Sequence, residues 1–440
     1  MTRTLTPAPA APPAGTVAER LGLPRTAGRR PLIGSHLVDS LGTGLVLTFV
    51  VVYFVRSTAL PVAEVGASIT LARLLALPTA IVTGRLIDRF GARATAAAGN
   101  AVSALAYAGF LATHQAWQIV LVSWLAQVGA VMYWTSSTGL VVLAAGEGER
   151  TRWFALVQTL RNTGLGIGAA LGSLVLGAGG TGGLRLLVVL NAVSYLVATV
   201  LLALWRPAAG AAAAAGAQAA AQAGAGSATA AGPTPTPSAG GYRTVLRDGR
   251  YLLLVGINLS NVFGSMITSM LLAVYLVQSL HRPAWLAGSL LMMNGVQVVL
   301  TQAPVARRLE HLRPTRVLAA AFLLNALAFA LYAALAAAPG VLVVAGLYAA
   351  TFLYTVAETV GTPFSEELSV SLARPDLRGR YLGVYQLSWN TGQALAPGLL
   401  TLLLDRGALW PWLFLTLLAL AAVPALLLLE RLGGRPPLAR

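Results

Sequence analysis

Long apolar runs alternate along the chain with short clusters rich in arginine and glycine, and the runs set the first expectation. Most hold about twenty residues, the length a helix needs to cross the hydrocarbon core of a bilayer. They predict spanning helices at about 32–55, 62–84, 95–113, 117–144, 153–176 and 184–205. Six more are expected at about 251–279, 284–305, 317–337, 341–364, 382–404 and 409–429. Between the two sets lies "RPAAGAAAAAGAQAAAQAGAGSATAAGPTPTPSAGG". It lacks large apolar residues and nearly all charge, so it cannot build a core and reads as a linker. The fold class expected is an all-α membrane protein of twelve transmembrane helices. Its parts would be a disordered cytoplasmic tail at 1–30, a six-helix bundle at 31–206, a low-complexity cytoplasmic linker at 207–241, a second bundle at 242–431 and a cytoplasmic tail at 432–440. The first thirty residues hold no apolar core, so they do not read as a cleavable signal.

Two echoes relate the sets. "RWFALVQTLRNTG" begins at Arg152 and "RYLGVYQLSWNTG" at Arg380, 228 residues on. They share the leading Arg, Gln158/Gln386, Asn162/Asn390, Thr163/Thr391 and Gly164/Gly392, and each opens the fifth run of its set. "RLIDRFGARATAAA" from Arg85 aligns with "RLEHLRPTRVLAAA" from Arg308, and both join the second and third runs. The chain therefore reads as two parallel six-helix repeats. Such repeats are related by an axis along the membrane normal, with substrate bound where they meet.

Composition narrows the chemistry. The chain is 57% hydrophobic and 10% charged, with a mean hydropathy of +0.74, whereas soluble domains are about 25% charged. It has no Cys, which removes disulfides, thiolate metal sites and a Cys nucleophile. It has no Lys either, so a phosphate-binding GxxxxGK[ST] loop and a Lys Schiff base are both excluded. An Arg-for-Lys bias this complete fits a GC-rich bacterial genome. No HExxH, no DDxxD and no GxSxG with a plausible His partner points to an enzyme. The net charge of +16 sits in short clusters without an aromatic-interleaved basic face, which argues against nucleic acid. With the N-terminus inside, only Arg56, Arg185, Arg282 and Arg406 lie at outer ends, and Arg73 and Arg161 lie within runs. The remaining arginines fall in tails, linker and inner loops, so the positive-inside rule places both termini in the cytoplasm.

"GRLIDRFGAR" resembles the signature loop of the major facilitator superfamily, matching it at Gly84, Asp88, Arg89, Gly91 and Arg93. "ARPDLRGRYLGVYQLSWNTGQALAPG" and "AETVGTP" are similar to the drug:proton antiporter branch, especially its actinobacterial members. The resemblance covers about 32–430. Two features depart from the branch. "SWLAQVGAVMYWTSSTGL" carries no Arg, and "GLGIGAALG" has Ala169 where the antiporter pattern has Pro, whereas the second set has Pro397 there. The resemblance implies a monomeric secondary active transporter of a bacterial plasma membrane, without cofactor or metal. It would export a small amphipathic compound against inward proton flow. A nutrient permease, for instance for sugar, is the alternative of the same fold, and a non-transporting sensor a more distant one.

Candidate residues follow from where charge and polarity interrupt the runs. Asp88 sits among Arg85, Arg89 and Arg93 and is placed to pair across the repeats with Arg378 and Arg380. With Gly84 and Gly91, which permit a tight turn and close packing, these form a candidate conformational latch. The other reading is a solvated charge run that only sets topology. Ionisable groups inside a span are costly and mark function by default; here they are Asp39, Arg73, Arg161 and Glu358. Asp39 lies roughly 12 Å from its helix end at 1.5 Å per residue, at a depth similar to that of Glu358 and Arg161. These four are the proton-coupling candidates, with Asp39–Arg161 as an expected ion pair; a static pair that only holds helices together is the alternative. Glu64, Glu366 and Glu367 lie near run ends and read as interfacial. Polar stripes suggest a substrate cavity lined by His36, Thr43, Gln127, Asn258, Asn261, Asn294, Gln297, Thr355, Trp389 and Gln393. Ser265, Thr268, Thr301, Thr351 and Thr362 continue these stripes, and Trp124, Trp134, Phe352 and Tyr354 are further pocket candidates. Helix–helix hydrogen bonding is the other use of such polar residues.

Overall fold

The computed structural model describes residues 23–47, 49–58, 60–146, 148–207, 241–267, 271–283 and 285–432. Most of the expected tails, nearly all of the linker, and Thr268 lie outside the described residues. Before the linker come α1 (Arg30–Leu47), α2 (Val50–Thr58), α3 (Val62–Ala76), α4 (Thr79–Phe90), α5 (Ala92–Phe110), α6 (Ala116–Ala144) and α7 (Arg150–Leu204). After it come α8 (Tyr242–Arg247), α9 (Gly249–Met266) and α10 (Leu272–Val274), which runs into a π-helical turn at Tyr275–Ser279. Then follow α11 (Trp285–Leu309), α12 (Pro314–Ala334), α13 (Gly340–Ser371), α14 (Arg378–Asp405) and α15 (Trp410–Leu432). Among the described residues there is no strand.

Local chemistry explains several boundaries. Asp248 caps α9 by accepting the Tyr251 backbone N–H at 3.1 Å. Pro314 opens α12, where a missing N–H has no cost. Pro78 separates α3 from α4, and the two helices meet at 43°, because proline removes a helical hydrogen bond and crowds the preceding turn.

Six helical segments are long and apolar enough to cross a membrane: Ala116–Ala144, Gly182–Leu204, Trp285–Leu309, Pro314–Ala337, Gly340–Ser371 and Trp410–Leu432. The bent pairs α1/α2 and α3/α4 raise the number to eight. Of the twelve runs expected, those at α5, α9, α14 and the first arm of α7 fall short. Their hydropathy is diluted by glycine and by polar groups turned toward other helices, such as Asn100 and Ser103 in α5 and Asn258 in α9, all buried.

The runs at 153–176 and 184–205 appear as one helical stretch, α7, rather than two. It is not straight. A Cβ on Gly183 would lie 2.7 Å from the Val175 carbonyl oxygen, yet eight residues span about 12 Å along a straight helix. The chain therefore doubles back between Val175 and Gly183.

Large apolar side chains such as Leu105, Leu174, Met292 and Val341 point outward, as expected where lipid is the solvent. Inside, Tyr332 stacks on Trp412 with ring centroids 4.5 Å apart at the centre of the second set of helices. Tyr53, Phe54 and Phe110 pack together in the first. A further cluster unites both sets: Ile87, Tyr133, Leu140, Trp153 and Leu156 pack with Val370 and Leu382. It lies at one end of the bundle, beside the contacts described next.

Candidate functional site

Three ion pairs among the described residues join the helices before the linker to those after it, and the echoed arginines make two of them. Arg152, in the first turn of α7, grips Glu310 just past α11: Nε donates to Oε2 at 2.5 Å and Nη2 to Oε1. Arg380, in the first turn of α14, places Nε 3.4 Å from Asp88 Oδ2 in α4. Asp88 Oδ1 also accepts the backbone N–H of Gly379 at 2.6 Å. That amide is one of the donors left without a partner at a helix start, where the helix dipole favours an anion. The approach needs glycine. A Cβ on Gly84 would fall 2.6 Å from the Gly379 carbonyl oxygen and 3.0 Å from Arg380 Cα. Tyr242 of α8 donates from its hydroxyl to the Ile81 carbonyl nearby, and Arg150 stands 3.9 Å from Glu367.

Deeper in the bundle lies a cluster of acids around one arginine. Asp39 of α1 is buried. It approaches α7 because glycine lines the seam: a Cβ on Gly164 would lie 2.7 Å from Ser40 Cβ, and one on Gly172 2.6 Å from the Leu45 carbonyl oxygen. "GLGIGAALG" thus serves close helix packing, as small residues do in membranes. One turn before Gly164, the Arg161 guanidinium sits over the Trp134 ring, 4.3 Å from its centroid. Its charge acts on Asp39, Glu358 and Glu366 together. Glu358 Oε2 accepts from Asn294 Nδ2 at 2.9 Å, and the same amide donates to Thr355 Oγ1 at 2.9 Å. Thr138, one turn beyond Trp134 on α6, donates from Oγ1 to Glu366 Oε2 at 3.1 Å. Around Asp39, His36 Nδ1 and the Tyr133 hydroxyl are 2.7 Å apart, and Thr43 Oγ1 and the Tyr195 hydroxyl 3.1 Å. One cation facing three carboxylates cannot neutralise them all. Among the described residues no group of three or more His, Asp or Glu is placed to hold a metal ion.

A family model described as the Major Facilitator Superfamily matches residues 32–348 and 254–439. The chain belongs to this superfamily. Members are transporters, and this chain is one rather than an enzyme. It is 25% identical over 392 residues to Multidrug resistance protein MdtH of Photorhabdus laumondii, covering 84% of this chain and 85% of that protein. It is 24% identical over 383 residues to the MdtH of Escherichia coli O1:K1, covering 86% of each. In fold it is similar to the human organic anion transporter MFSD10, with a TM-score of 0.64, 18% identity, and 94% of this chain and all of that one covered. A bacterial homologue of the iron transporter ferroportin in an outward-facing state gives a TM-score of 0.68 at 14% identity, covering 92% of this chain and 99% of the other.

Within this superfamily fold, several expected site residues stand elsewhere than the sequence suggested. No ion pair joins Asp39 to Arg161 among the described residues; the guanidinium stacks on Trp134 and acts on the carboxylate only through its field. Arg73 is exposed, and its charge reaches Tyr107 rather than an acid. In the candidate latch, Arg378 faces Arg150 instead of Asp88. Arg89 lies on Phe90, with its guanidinium 5.2 Å from the ring centroid. Arg93 donates to the Trp205 carbonyl at 2.6 Å, where it caps the end of α7. Gly91 has φ +82°, the left-handed conformation that lets α4 turn directly into α5.

Of the cavity candidates, Asn258 is buried and its amide donates to Ser388 Oγ at 3.0 Å, so it ties α9 to α14. His36 is likewise buried against Tyr133, and Tyr354 packs in the core. Gln297 donates to the Phe352 carbonyl at 3.2 Å. Gln127, Asn261 and Trp389 are half-buried and Gln393 is exposed, with no polar partner among the described residues. The sequence missed Thr138, Tyr133 and Glu366. Glu366 was placed at an interface because its run was ended at 364, whereas α13 continues to Ser371. An acid eight residues after Glu358, near the same helix face, was the available signal.

Proposed function

We propose that this chain exports a small amphipathic compound in exchange for protons by alternating access. Its twelve spans form two parallel six-helix repeats in a bacterial inner membrane, with both termini in the cytoplasm. The observation that carries this reading is the reciprocal pairing of Arg152 with Glu310 and Arg380 with Asp88. Each echoed arginine holds the acidic loop of the opposite repeat, which is how two like units related by a two-fold axis would lock. The locked end is the cytoplasmic one in this orientation, so the conformation is closed to the cytoplasm. The cross-repeat polar contacts, from Tyr242–Ile81 to Thr138–Glu366, all lie toward that end.

Asp39 and Glu358 are the proton carriers in this reading. They occupy different repeats and share the field of Arg161. Uptake of a proton by Glu358 removes a charge of the second repeat that faces Arg161 of the first and loosens the hold between repeats, whereas uptake by Asp39 leaves Arg161 to Glu358 and Glu366. Each charge driven through 100 mV supplies about 2.3 kcal/mol, which is comparable to one charge-assisted hydrogen bond. The naming of the relatives as multidrug resistance proteins favours export over nutrient uptake.

The test is transport by the purified protein in liposomes under an imposed pH gradient, beside exchange of substrate without one. Asp39→Asn and Glu358→Gln are expected to abolish gradient-driven accumulation and to keep exchange. Accumulation retained in both variants refutes the carrier assignment.

A further inference from the structure

We propose that Glu366 is a proton-responsive gate: its carboxylate closes the floor of the transport path through Thr138 and opens it when protonated. This rests on the transporter reading above and assigns a further acid to the same site. The geometry is specific. Thr138 lies six residues before the end of α6 and Glu366 five before the end of α13, so both are roughly 8–9 Å inside their helix ends. Their hydrogen bond, 3.1 Å long, joins the two repeats deeper than either ion pair of the echoed arginines. A hydroxyl donating to an ionised carboxylate makes a stronger bond than one to a neutral acid.

The groups facing Glu366 from the packed helices are Thr138 of α6, Arg161 of α7, Tyr251 of α9 and Tyr385 of α14. Arg161 is the one cation in that set, and it also faces Asp39 and Glu358. Trp134, on which it stacks, lies one turn from Thr138 on the same helix face. The carrier acids and the gate therefore draw on a single cation. A proton binding to a Glu366 oxygen turns the carboxylate into a neutral acid, weakens the Thr138 bond and ends the pull of Arg161. The floor opens only after a proton has reached it, which prevents substrate leaking when no proton moves.

The Cys-free chain allows a direct test. A single cysteine at Thr362, half-buried one turn above Glu366, is labelled with an impermeant maleimide from the cytoplasmic side of inverted vesicles. Measured relative to an exposed reference cysteine at the same pH, which removes the change in thiolate fraction, labelling should be slow at high pH and about tenfold faster at low pH, the factor that loss of one charge-assisted bond implies. Thr138→Val should label fast at every pH, and Thr138→Ser should restore the parent behaviour. Glu366→Gln keeps an acceptor for Thr138 but cannot ionise, so its labelling rate should no longer change with pH. Slow labelling in Thr138→Val, or an unchanged pH response in Glu366→Gln, overturns the proposal. The assay uses no substrate and no gradient. Gradient-driven accumulation retained in both carrier variants would refute the carrier assignment and leave the gate result standing.

Discussion

At the residue scale, the groups easiest to find were those whose chemistry conflicts with their surroundings. Asp39, Arg161 and Glu358 interrupt apolar runs, and a charge there is costly enough to be visible in one dimension. Their partners were harder to find. Tyr133, Thr138 and Asn294 are neutral, common in membrane helices, and acquire a role only from what faces them. Asn294 illustrates the difference. Its amide fixes Glu358 and Thr355 at once, so the orientation of the acid depends on it. Asn294→Ala should leave Glu358 without its donor and destabilise the protein by about 1.5–3 kcal/mol at high pH. The loss should shrink at low pH, where the acid is neutral. Thermal unfolding of the purified variant across pH checks this, and a loss independent of pH would mean that Asn294 only packs.

At the element scale, the helices themselves were legible, because runs of about twenty apolar residues have few other fates. How they bend and meet was less so. Pro78 announces a break, yet the 43° angle depends on what α3 and α4 pack against. The hydropathy pattern separates the runs at 153–176 and 184–205 where α7 doubles back, yet not the unbroken helical stretch that joins them. The crossing of α4 over α14 is the element contact most open to test. Gly84 meets Gly379 and Arg380 backbone to backbone, and a methyl group there would press on that backbone as well as on the Tyr242 hydroxyl. Gly84→Ala should force the two helices apart and weaken the Asp88–Gly379 bond. The expected result is faster cytoplasmic labelling at the Thr362 cysteine with normal insertion into the membrane. Labelling as slow as in the parent would show that the seam can widen without releasing the lock. Arg152 and Arg380 were visible as an echo, whereas their acids were not visible as a matching pair. The Arg-rich setting of Asp88 already sets it opposite Arg380, whereas Glu310 falls out of register with Asp88, so only the folded molecule pairs Glu310 with Arg152.

For the whole molecule, the superfamily fold follows from hydropathy and the signature loop together, and neither required a structure. The substrate does not follow, because half-buried residues such as Gln127, Asn261 and Trp389 state tolerance and not identity. The reciprocal pairing has a consequence for how such a chain holds together. Arg152 binds the acid of the second repeat, and Arg380 binds the acid of the first. This is the pattern of an isologous dimer, in which each partner offers the other the same two groups. The covalent connection between the repeats would then act mainly by raising the effective concentration at which two self-sufficient protomers meet. Residues 1–206 and 242–440 expressed as separate chains in one membrane should therefore assemble and transport, with co-purification and liposome uptake as the readouts. The assembly should fail when Arg152→Glu and Arg380→Glu are combined. Seen this way, the molecule is a heterodimer that happens to be written as one chain, and its two arginines are the recognition code by which one protomer finds the other.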